Sequence, residues 1–282
     1  MTTIVECHPR VSQEPAPELK ALKAKQQMVW SSGNYAVIGA TLQIVGEQLA
    51  EAMDLHAGQT VLDVAAGNGN VTLAAARRWC EVTSTDYVEA LLAHGRKRAE
   101  TEGFRVNFQI ADAEDLPFAD GSFDAVSSSF GVMFSPDQGR AASELVRVCR
   151  SGGRIGLANW TPEGFIGQLF KAIGKYLPPA AGAKSPANWG TRSWLEATFG
   201  PAASKITAEP RHFALRYRSA QHFLDIFRAY YGPMLKAFEA LDEAGRTALA
   251  GDITGLIARF NRSGDETMVV GAEYLEVVIT KR

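Results

Sequence analysis

Residues 60–70 read Thr-Val-Leu-Asp-Val-Ala-Ala-Gly-Asn-Gly-Asn and predict a β-strand, a glycine-containing loop and the start of a helix. Residues 60–64 form a short run that is apolar on both faces, which is typical of a central strand in a parallel sheet covered by helices. Gly67 and Gly69 lack the Cβ atoms that would keep a ligand away from the backbone, and the helix that follows has unpaired N–H donors in its first turn. The stretch therefore predicts a ligand-binding loop between a strand and a helix.

The same alternation of strands and helices continues on both sides of this loop. Apolar periodicity predicts helices over 41–53, 71–79 and 88–100 and strands over 81–85, 105–110, 123–129 and 154–159. Ser135-Pro136 is expected to begin a further helix, and Gly152-Gly153 to end it. Because strands and helices of this length alternate, we expect an α/β fold with a doubly wound, mostly parallel sheet.

The pattern changes after Trp160, where prolines and aromatic residues become frequent. We expect an amphipathic helix over 165–176, a strand near 211–217, a helix capped by Ser219 and stopped by Gly232-Pro233, more helix over 235–259 and a strand over 273–280. The alternating apolar face of the last strand is too extensive to be left in water, so we expect that strand to lie inside the main sheet.

These patterns divide the chain into four segments. They are an N-terminal arm with a candidate lid over 1–40, a Rossmann-like ligand-binding core over 41–160, a cap or acceptor region with one sheet strand over 161–262, and a C-terminal strand over 263–282 that returns to the core sheet. Residues 1–25 are polar and are expected to be mobile except where they pack on the body of the protein. They contain no apolar segment of the kind found in signal peptides.

Composition and charge exclude several classes of protein. With 46% apolar and 21% charged residues, the chain is globular rather than disordered or a coiled coil. Its formal net charge of -2 gives no global field for holding nucleic acid or an anionic membrane, and no stretch approaches the ~18 apolar residues of a membrane span. The cysteines Cys7, Cys80 and Cys149 are far apart, so we expect neither a zinc site nor a disulfide framework, and a cytoplasmic location.

An acidic residue at the end of the second predicted strand narrows the class of ligand. Asp86 follows Gly67 by 19 residues, close to the ~20 typical of the carboxylate that binds ribose hydroxyls in nucleotide-binding βαβ units. Thr72 stands where a dinucleotide-binding loop has its third glycine, and the chain contains no P-loop motif. The loop therefore favours a ligand that has adenosine but no diphosphate, a description that S-adenosylmethionine (SAM) meets.

Several motifs, in the correct order over about residues 41–160, resemble those of class I SAM-dependent methyltransferases. The matching segments are Val61–Gly69, Asp112–Phe118, Gly121–Val126, Ser129–Gly131, Leu145–Val148 and Gly152–Arg154. The later segments are similar to the methyltransferase type 11 subgroup that contains the ubiquinone/menaquinone C-methyltransferases. Ala65 departs from the glycine that many members have. The resemblance implies a seven-stranded Rossmann-like sheet with an antiparallel C-terminal strand and a helical cap.

The resemblance also implies the residues that hold SAM, and S-adenosylhomocysteine (SAH) after transfer. Gly67 and Gly69 would lie against the methionine part, Asp63 would orient the loop or the ammonium group, and Asp86 would accept hydrogen bonds from the ribose. Tyr87 would flank the adenine, Asp112 and Ala113 would bind its edge, and Ser129 would lie near the methyl donor. The full set of expected cofactor residues is Trp30, Asp63, Ala65, Gly67, Asn68, Gly69, Asp86, Tyr87, Asp112, Ala113 and Ser129.

Aromatic residues outside the core are candidates for the methyl acceptor site. We expect a small apolar or aromatic acceptor rather than nucleic acid, in contact with Tyr35, Phe134, Tyr230 and Tyr231. Two interpretations of Trp30 and Tyr35 stay open: aromatic packing of the N-terminal segment, or a lid whose rings attract the sulfonium cation.

No catalytic residue is assigned from the sequence. The five histidines are dispersed and lack metal-ligand spacing, so no metal is expected. SAM carries an activated methyl group, and the protein must chiefly align the reactants; a general base is needed only if the acceptor must lose a proton. An NAD(P)-dependent oxidoreductase and a catalytically silent SAM-fold binding protein are the alternatives.

Overall fold

Seven β-strands form one sheet in the residues described by the computed structural model, 17–178 and 184–282. The strands are β1 Thr60–Val64, β2 Glu81–Asp86, β3 Asn107–Ile110, β4 Phe123–Ser129, β5 Cys149–Trp160, β6 Ala203–Tyr217 and β7 Met268–Lys281. Their spatial order is β3-β2-β1-β4-β5-β7-β6. The first five strands in this order, from β3 through β2, β1 and β4 to β5, pair in parallel. Strand β7 is antiparallel to both β5 and β6. The predicted fold class, a doubly wound sheet with an antiparallel strand over 273–280, is confirmed.

Helices pack on both faces of this sheet, as expected for doubly wound α/β proteins. In the described part of the chain they are α1 Pro17–Ser31, α2 Ala36–Gly39, α3 Gln43–Ala52, α4 Asn70–Arg77, α5 Glu89–Thr101, α6 Gln138–Val148, α7 Phe165–Tyr176, α8 Arg192–Phe199, α9 Ala220–Tyr230, α10 Gly232–Ala240 and α11 Glu243–Phe260. The central strands lie between the helical layers, so Leu62, Val126 and Leu157 have no exposed surface. Burial on both faces explains why the bounds predicted for β1 and β4 agree with the structure.

The predicted N-terminal arm is partly helical. Helix α1 begins at Pro17, so residues 17–25 do not form the free polar arm expected from composition. Cys7, and the rest of residues 1–16, lie outside the described residues.

Helix α6 begins and ends at different residues from those predicted. Its N-cap is Asp137, whose carboxylate accepts a hydrogen bond from the backbone N–H of Arg140 at 3.0 Å, so the helix does not begin at Ser135-Pro136. A carboxylate that reaches the third N–H of a helix satisfies an otherwise unpaired donor. The helix ends at Val148, ahead of the predicted Gly152-Gly153.

Strand β5 begins at Cys149 and contains the two glycines that were expected to end the helix. Cys149 pairs with Phe123, and pairing resumes only at Arg154 opposite Ala125. The intervening residues bulge out, with Gly152 at a φ of +72°, a conformation that glycine adopts without steric cost.

The region after residue 200 also differs in its details. Strand β6 begins at Ala203, eight residues before the predicted strand. Ser219 caps α9 as predicted, accepting from the N–H of His222 at 3.1 Å. Gly232-Pro233, however, begins α10 rather than a loop: Tyr231 adopts an extended conformation between two helices, and proline is tolerated in a first helical turn.

Candidate functional site

The carboxyl ends of β1, β2 and β4 and the residues after β3 surround one cleft of about 960 Å³, part of it open to solvent. This is the edge of an open α/β sheet at which ligands bind. Ten of the eleven expected cofactor residues line the cleft: Trp30, Asp63, Ala65, Gly67, Asn68, Asp86, Tyr87, Asp112, Ala113 and Ser129. Gly69 does not line it. That residue precedes α4 with a φ of +81°, and its role in the structure is to begin the helix.

Asp63 is a buried carboxylate near the end of β1 that joins helix α4 to the sheet. One of its oxygens accepts the backbone N–H and the hydroxyl of Thr72 at 2.8 and 2.6 Å, and the other accepts the hydroxyl of Ser127 at 2.9 Å. Burial raises the pKa of Asp63 to about 6, against the lowering effect of these hydrogen bonds. The carboxylate therefore ties the first turn of α4, which follows the glycine loop, to β4; its expected role in orienting the loop stays a prediction. In the sequence Thr72 argues only against a dinucleotide, whereas in the structure it is the residue that makes this link.

Asp86 lies at the end of β2 and faces the same loop. Its carboxylate accepts hydrogen bonds from the backbone N–H groups of Gly67 and Val88, both at 2.9 Å. The side chain is buried, and burial raises its pKa to about 6. Burial, with the charge of Asp86, also raises the pKa of Tyr87 above its usual range.

The loop fits the adenosine-containing ligand that its sequence predicts. A Cβ atom built on Gly67 would meet no protein atom within 4 Å, so the space beside this backbone belongs to the cleft. Asn68 is buried, and its Nδ2 has no hydrogen-bond partner in the described structure. Ala65 adopts a φ of +51°, where glycine would be less strained, and a Cβ on Gly131 would lie 2.3 Å from the Ala65 carbonyl oxygen.

Lys23 and Gln26 line the cleft and were not predicted from the sequence. The Nζ of Lys23 lies 2.6 Å from Asp112 Oδ2 and 2.6 Å from Glu114 Oε2. Burial lowers the pKa of Lys23, but the hydrogen bonds to the two carboxylates outweigh burial and raise the pKa above its ordinary value. The sequence signal that could have placed these residues on one helical face is their spacing. Gln26 follows Lys23 by three residues and Trp30 follows Gln26 by four on α1.

The boundary between the cleft and a second, apolar cavity is formed by the aromatic wall, which consists of Trp30, Tyr35, Phe134 and Tyr231. The ring centroid of Trp30 lies 4.9 Å from that of Phe134, 5.8 Å from that of Tyr35 and 5.7 Å from that of Tyr231. The second cavity, of about 490 Å³, is named here the apolar chamber, and its lining residues are Trp30, Tyr35, Ile38, Leu42, Phe130, Phe134, Trp160, Ile166, Leu169, Phe170, Leu215, Phe227 and Tyr231. Trp30, Tyr35, Leu42, Phe130 and Phe134 line both cavities.

Three of the four predicted acceptor residues meet at this wall. Tyr35 and Phe134 line both cavities, and Tyr231 lines the apolar chamber. Tyr230, by contrast, lines neither. Burial raises the pKa of Tyr35 to about 12 and that of Tyr231 further, so both phenols remain protonated at neutral pH.

Among the described residues, no group of three or more His, Cys, Asp or Glu side chains has the geometry to hold a metal ion. In the same part of the chain, no helix is long and apolar enough to cross a membrane.

Comparisons with known proteins agree with the geometry of the cleft. A family profile described as a methyltransferase domain matches residues 61–153. The uncharacterized protein Rv1405c of Mycobacterium tuberculosis is 37% identical over 273 residues, covering 95% of this chain and 98% of that protein. The demethylmenaquinone methyltransferase of Thermus thermophilus is 34% identical over 177 residues, covering 59% of this chain and 80% of that protein. The chain belongs to the class I SAM-dependent methyltransferases.

Solved structures show the same fold at low sequence identity. The YcgJ protein of Bacillus subtilis superimposes with a TM-score of 0.59 at 18% identity, over 86% of this methyltransferase and 99% of that chain. Phosphoethanolamine N-methyltransferase 2 of Haemonchus contortus, solved in complex with SAM, gives a TM-score of 0.51 at 18% identity, over 84% and 52% of the two chains. The methyltransferase described here uses SAM, and the alternative of an NAD(P)-dependent oxidoreductase is not supported.

Proposed function

We propose that this methyltransferase transfers the methyl group of SAM to a small apolar or aromatic molecule held in the apolar chamber. The observation that supports this proposal is the shared boundary of the two cavities: five side chains line both the cofactor cleft and the chamber. A methyl donor in the cleft and an acceptor in the chamber would meet at Trp30, Phe130 and Phe134. All thirteen residues lining the chamber are aliphatic or aromatic, and their only polar side-chain groups are two tyrosine hydroxyls and two tryptophan indole N–H groups.

The cofactor residues of this proposal are those that the family resemblance implies and that line the cleft. Asp86 would accept the ribose hydroxyls, Asp112 and Ala113 would bind the adenine edge, and Gly67 would lie against the methionine part. Asn68 has an unpaired Nδ2, which would donate to an acceptor atom of the cofactor. When bound, SAM supplies a methyl group on a positively charged sulfur, already activated for in-line displacement.

The chain's own residues would align the acceptor and exclude water. Phe130 stacks on Trp160 with ring centroids 3.8 Å apart, lines both cavities and has a strained backbone with a φ of +55°. Backbone strain of this kind persists where the surroundings over-determine the conformation, and it clusters at functional sites. Because Tyr35 and Tyr231 keep their protons, each would donate a hydrogen bond to an oxygen of the acceptor rather than remove its proton.

The proposal assigns cofactor binding and acceptor binding to different segments of the chain. Residues 41–160 would hold the cofactor, and residues 161–262 would cover the acceptor with side chains such as Ile166, Phe170 and Tyr231. Residues 263–282 return to the core sheet. A demethylated quinone, the acceptor in the name of the Thermus relative, is one molecule that an apolar lining would accommodate. The cytoplasmic location expected from the sequence stays a prediction.

Turnover against a panel of acceptors tests this function. Purified protein with radiolabelled SAM should methylate apolar aromatic or quinol compounds and leave polar, charged acceptors unmodified. Mass spectrometry of molecules that co-purify with the protein would identify the natural acceptor. Methylation of charged acceptors alone would contradict the proposal, and SAM binding without turnover on any acceptor would favour a silent binding protein.

A further inference from the structure

Helix α1 runs along the cofactor cleft and places three side chains in it. Lys23, Gln26 and Trp30 line the cleft from one face of the helix. At ~1.5 Å per residue, Lys23 and Trp30 are about 10 Å apart along the helix axis. The Lys23 end meets Asp112, and the Trp30 end meets the aromatic wall at Phe134. The helix therefore spans the cleft from its proposed adenine end to the boundary with the apolar chamber.

Side chains of α1 fasten it to the rim of the cleft at two places. Lys23 bonds Asp112 and Glu114, and its side chain is only 17% exposed. Four residues further on, Gln27 donates from Nε2 to the carbonyl oxygen of Tyr87 at 2.6 Å. All three partners follow the ends of β2 and β3, where the ribose and adenine would lie.

Gln26 presents an acceptor atom that the protein does not use. Its Oε1 is buried and has no hydrogen-bond partner in the described structure, although the residue lines the cleft. A buried polar atom without a partner is unfavourable, so a donor from a bound molecule would stabilise this arrangement. The adenosine part of SAM carries such donors in its 6-amino group and its ribose hydroxyls.

We propose that α1 is a clamp on the bound cofactor, resting on the cofactor residues assigned above. In this assignment Gln26 Oε1 accepts a hydrogen bond from the adenosine part, and Lys23 is a positioning residue that holds α1 over the cleft through Asp112 and Glu114. Each carboxylate has lone pairs left beyond its bond to Lys23, so Asp112 retains acceptor capacity toward the adenine. A closed α1 also excludes water from the sulfonium and brings Trp30 into the wall.

Binding of SAH, without any acceptor, tests the clamp separately from the acceptor proposal. Titration calorimetry would give Kd values for Gln26→Leu and Lys23→Met, and hydrogen exchange over residues 17–31 would report closure. We expect Gln26→Leu to bind SAH about threefold to tenfold more weakly, the range for one neutral hydrogen bond. We expect Lys23→Met to bind SAH more weakly as well, because α1 is no longer held over the cleft. SAH should slow exchange in α1 of the parent enzyme and of Lys23→Arg, but not of Lys23→Met. Lys25→Met, an exposed position on the same helix, is the matched control and should behave like the parent.

The deaminated analogue S-inosylhomocysteine separates the two donor groups. If Gln26 binds the 6-amino group, replacing SAH by the analogue should not weaken binding to Gln26→Leu any further. If Gln26 binds the ribose, the loss of affinity from the substitution and the loss from the analogue should add. Kd values for SAH within about twofold of the parent value for both Gln26→Leu and Lys23→Met would overturn the clamp. In that event, weaker SAH binding by the control variant Asp86→Ala would show that the cofactor site itself is correctly assigned. Unchanged SAH binding by Asp86→Ala would show that the cofactor site is wrongly assigned.

Discussion

Thr72 donates both its backbone N–H and its hydroxyl to one oxygen of Asp63, at 2.8 and 2.6 Å. Ser127 on β4 occupies the other oxygen, so one buried carboxylate ties the first turn of α4 to two neighbouring strands. The glycine loop lies between these anchors. Its shape therefore depends on a hydrogen-bond network beneath it as well as on its glycines.

Removing the Thr72 hydroxyl should destabilise the protein. Thr72→Val keeps the shape of the side chain but leaves Asp63 with one donor fewer in a buried site, and the expected cost is about 1–3 kcal/mol in the free energy of unfolding. Urea denaturation would measure it. Thr247→Val, at an exposed position of α11, is the matched control, and equal losses in the two variants would contradict this account.

The raised pKa of Asp86 predicts how stability changes with pH. Its pKa moves from 3.8 to about 6 in the folded protein, so the folded state binds the proton more tightly than the unfolded state. The stabilising contribution is fully present below pH 3.8 and is lost as the pH rises through about 6. We expect the unfolding free energy of the parent, relative to Asp86→Asn, to fall by on the order of 1–3 kcal/mol between pH 4 and 7. Parallel stability curves for the two proteins would show that this carboxylate does not titrate as described.

Asp86→Ala should also weaken SAM binding. The loss expected for hydrogen bonds to a charged acceptor is about 1.5–3 kcal/mol, or roughly 10–150-fold in Kd. Isothermal titration would measure it, with the exposed Asp225→Ala as control. Unchanged affinity in a folded Asp86→Ala protein would mean that the ribose is held elsewhere.

Two adjacent tyrosines provide a test of the acceptor chamber. Tyr231→Ala should lower kcat/KM for the acceptor while SAM affinity stays within about threefold, because the lost contact is with the acceptor. Tyr230→Ala, whose side chain lies outside both cavities, should have the smaller effect. Indistinguishable kinetics for the two variants on the true acceptor would count against this chamber.

The buried face of β7 should be essential to stability. Ile279 is 1% exposed between β5 and β6, and Ile279→Ala is expected to cost about 2–5 kcal/mol. Thr280→Ala, at a half-buried neighbouring position, should cost less. A chain ended at Asp265 should be insoluble, since it lacks β7 entirely; a cooperatively folding, soluble truncation would refute the role assigned to this strand.

The elements that were predicted well are those whose signals are local. Strands β1 and β4 are buried along most of their length, and Ser219 lies next to the helix that it caps. The bounds of α6 were wrong because Asp137 and Ser135 are both good caps by residue type, and only the folded geometry chooses between them. The cleft residues Gly67 and Asp86 were found because their spacing is a property of one βαβ unit.

The contribution of α1 was missed for a different reason. Lys23 has its partners 89 and more residues away, and a lysine in a polar segment carries no signal of what it will meet. The exclusion of Tyr230 from the chamber likewise depends on the turn at Tyr231, where α9 gives way to α10. Such pairings depend on how distant elements pack, which spacing along the chain does not encode.

The position of β7 has a consequence for the order in which the protein assembles. Strand β6 leaves the ribosome about fifty residues before β7, yet among the strands of the described residues its only hydrogen-bonding neighbour is β7. Until β7 inserts between them, β5 is an unpaired edge strand and β6 has no strand with which to pair. Exposed strand edges of this kind can pair with other chains and aggregate. The cofactor-binding core, residues 41–160, can fold early in synthesis. The acceptor region, residues 161–262, cannot join the sheet until β7 has been synthesised. We therefore expect the newly synthesised chain to be most vulnerable to aggregation between residues 217 and 268, the interval in which a chaperone would be of most use.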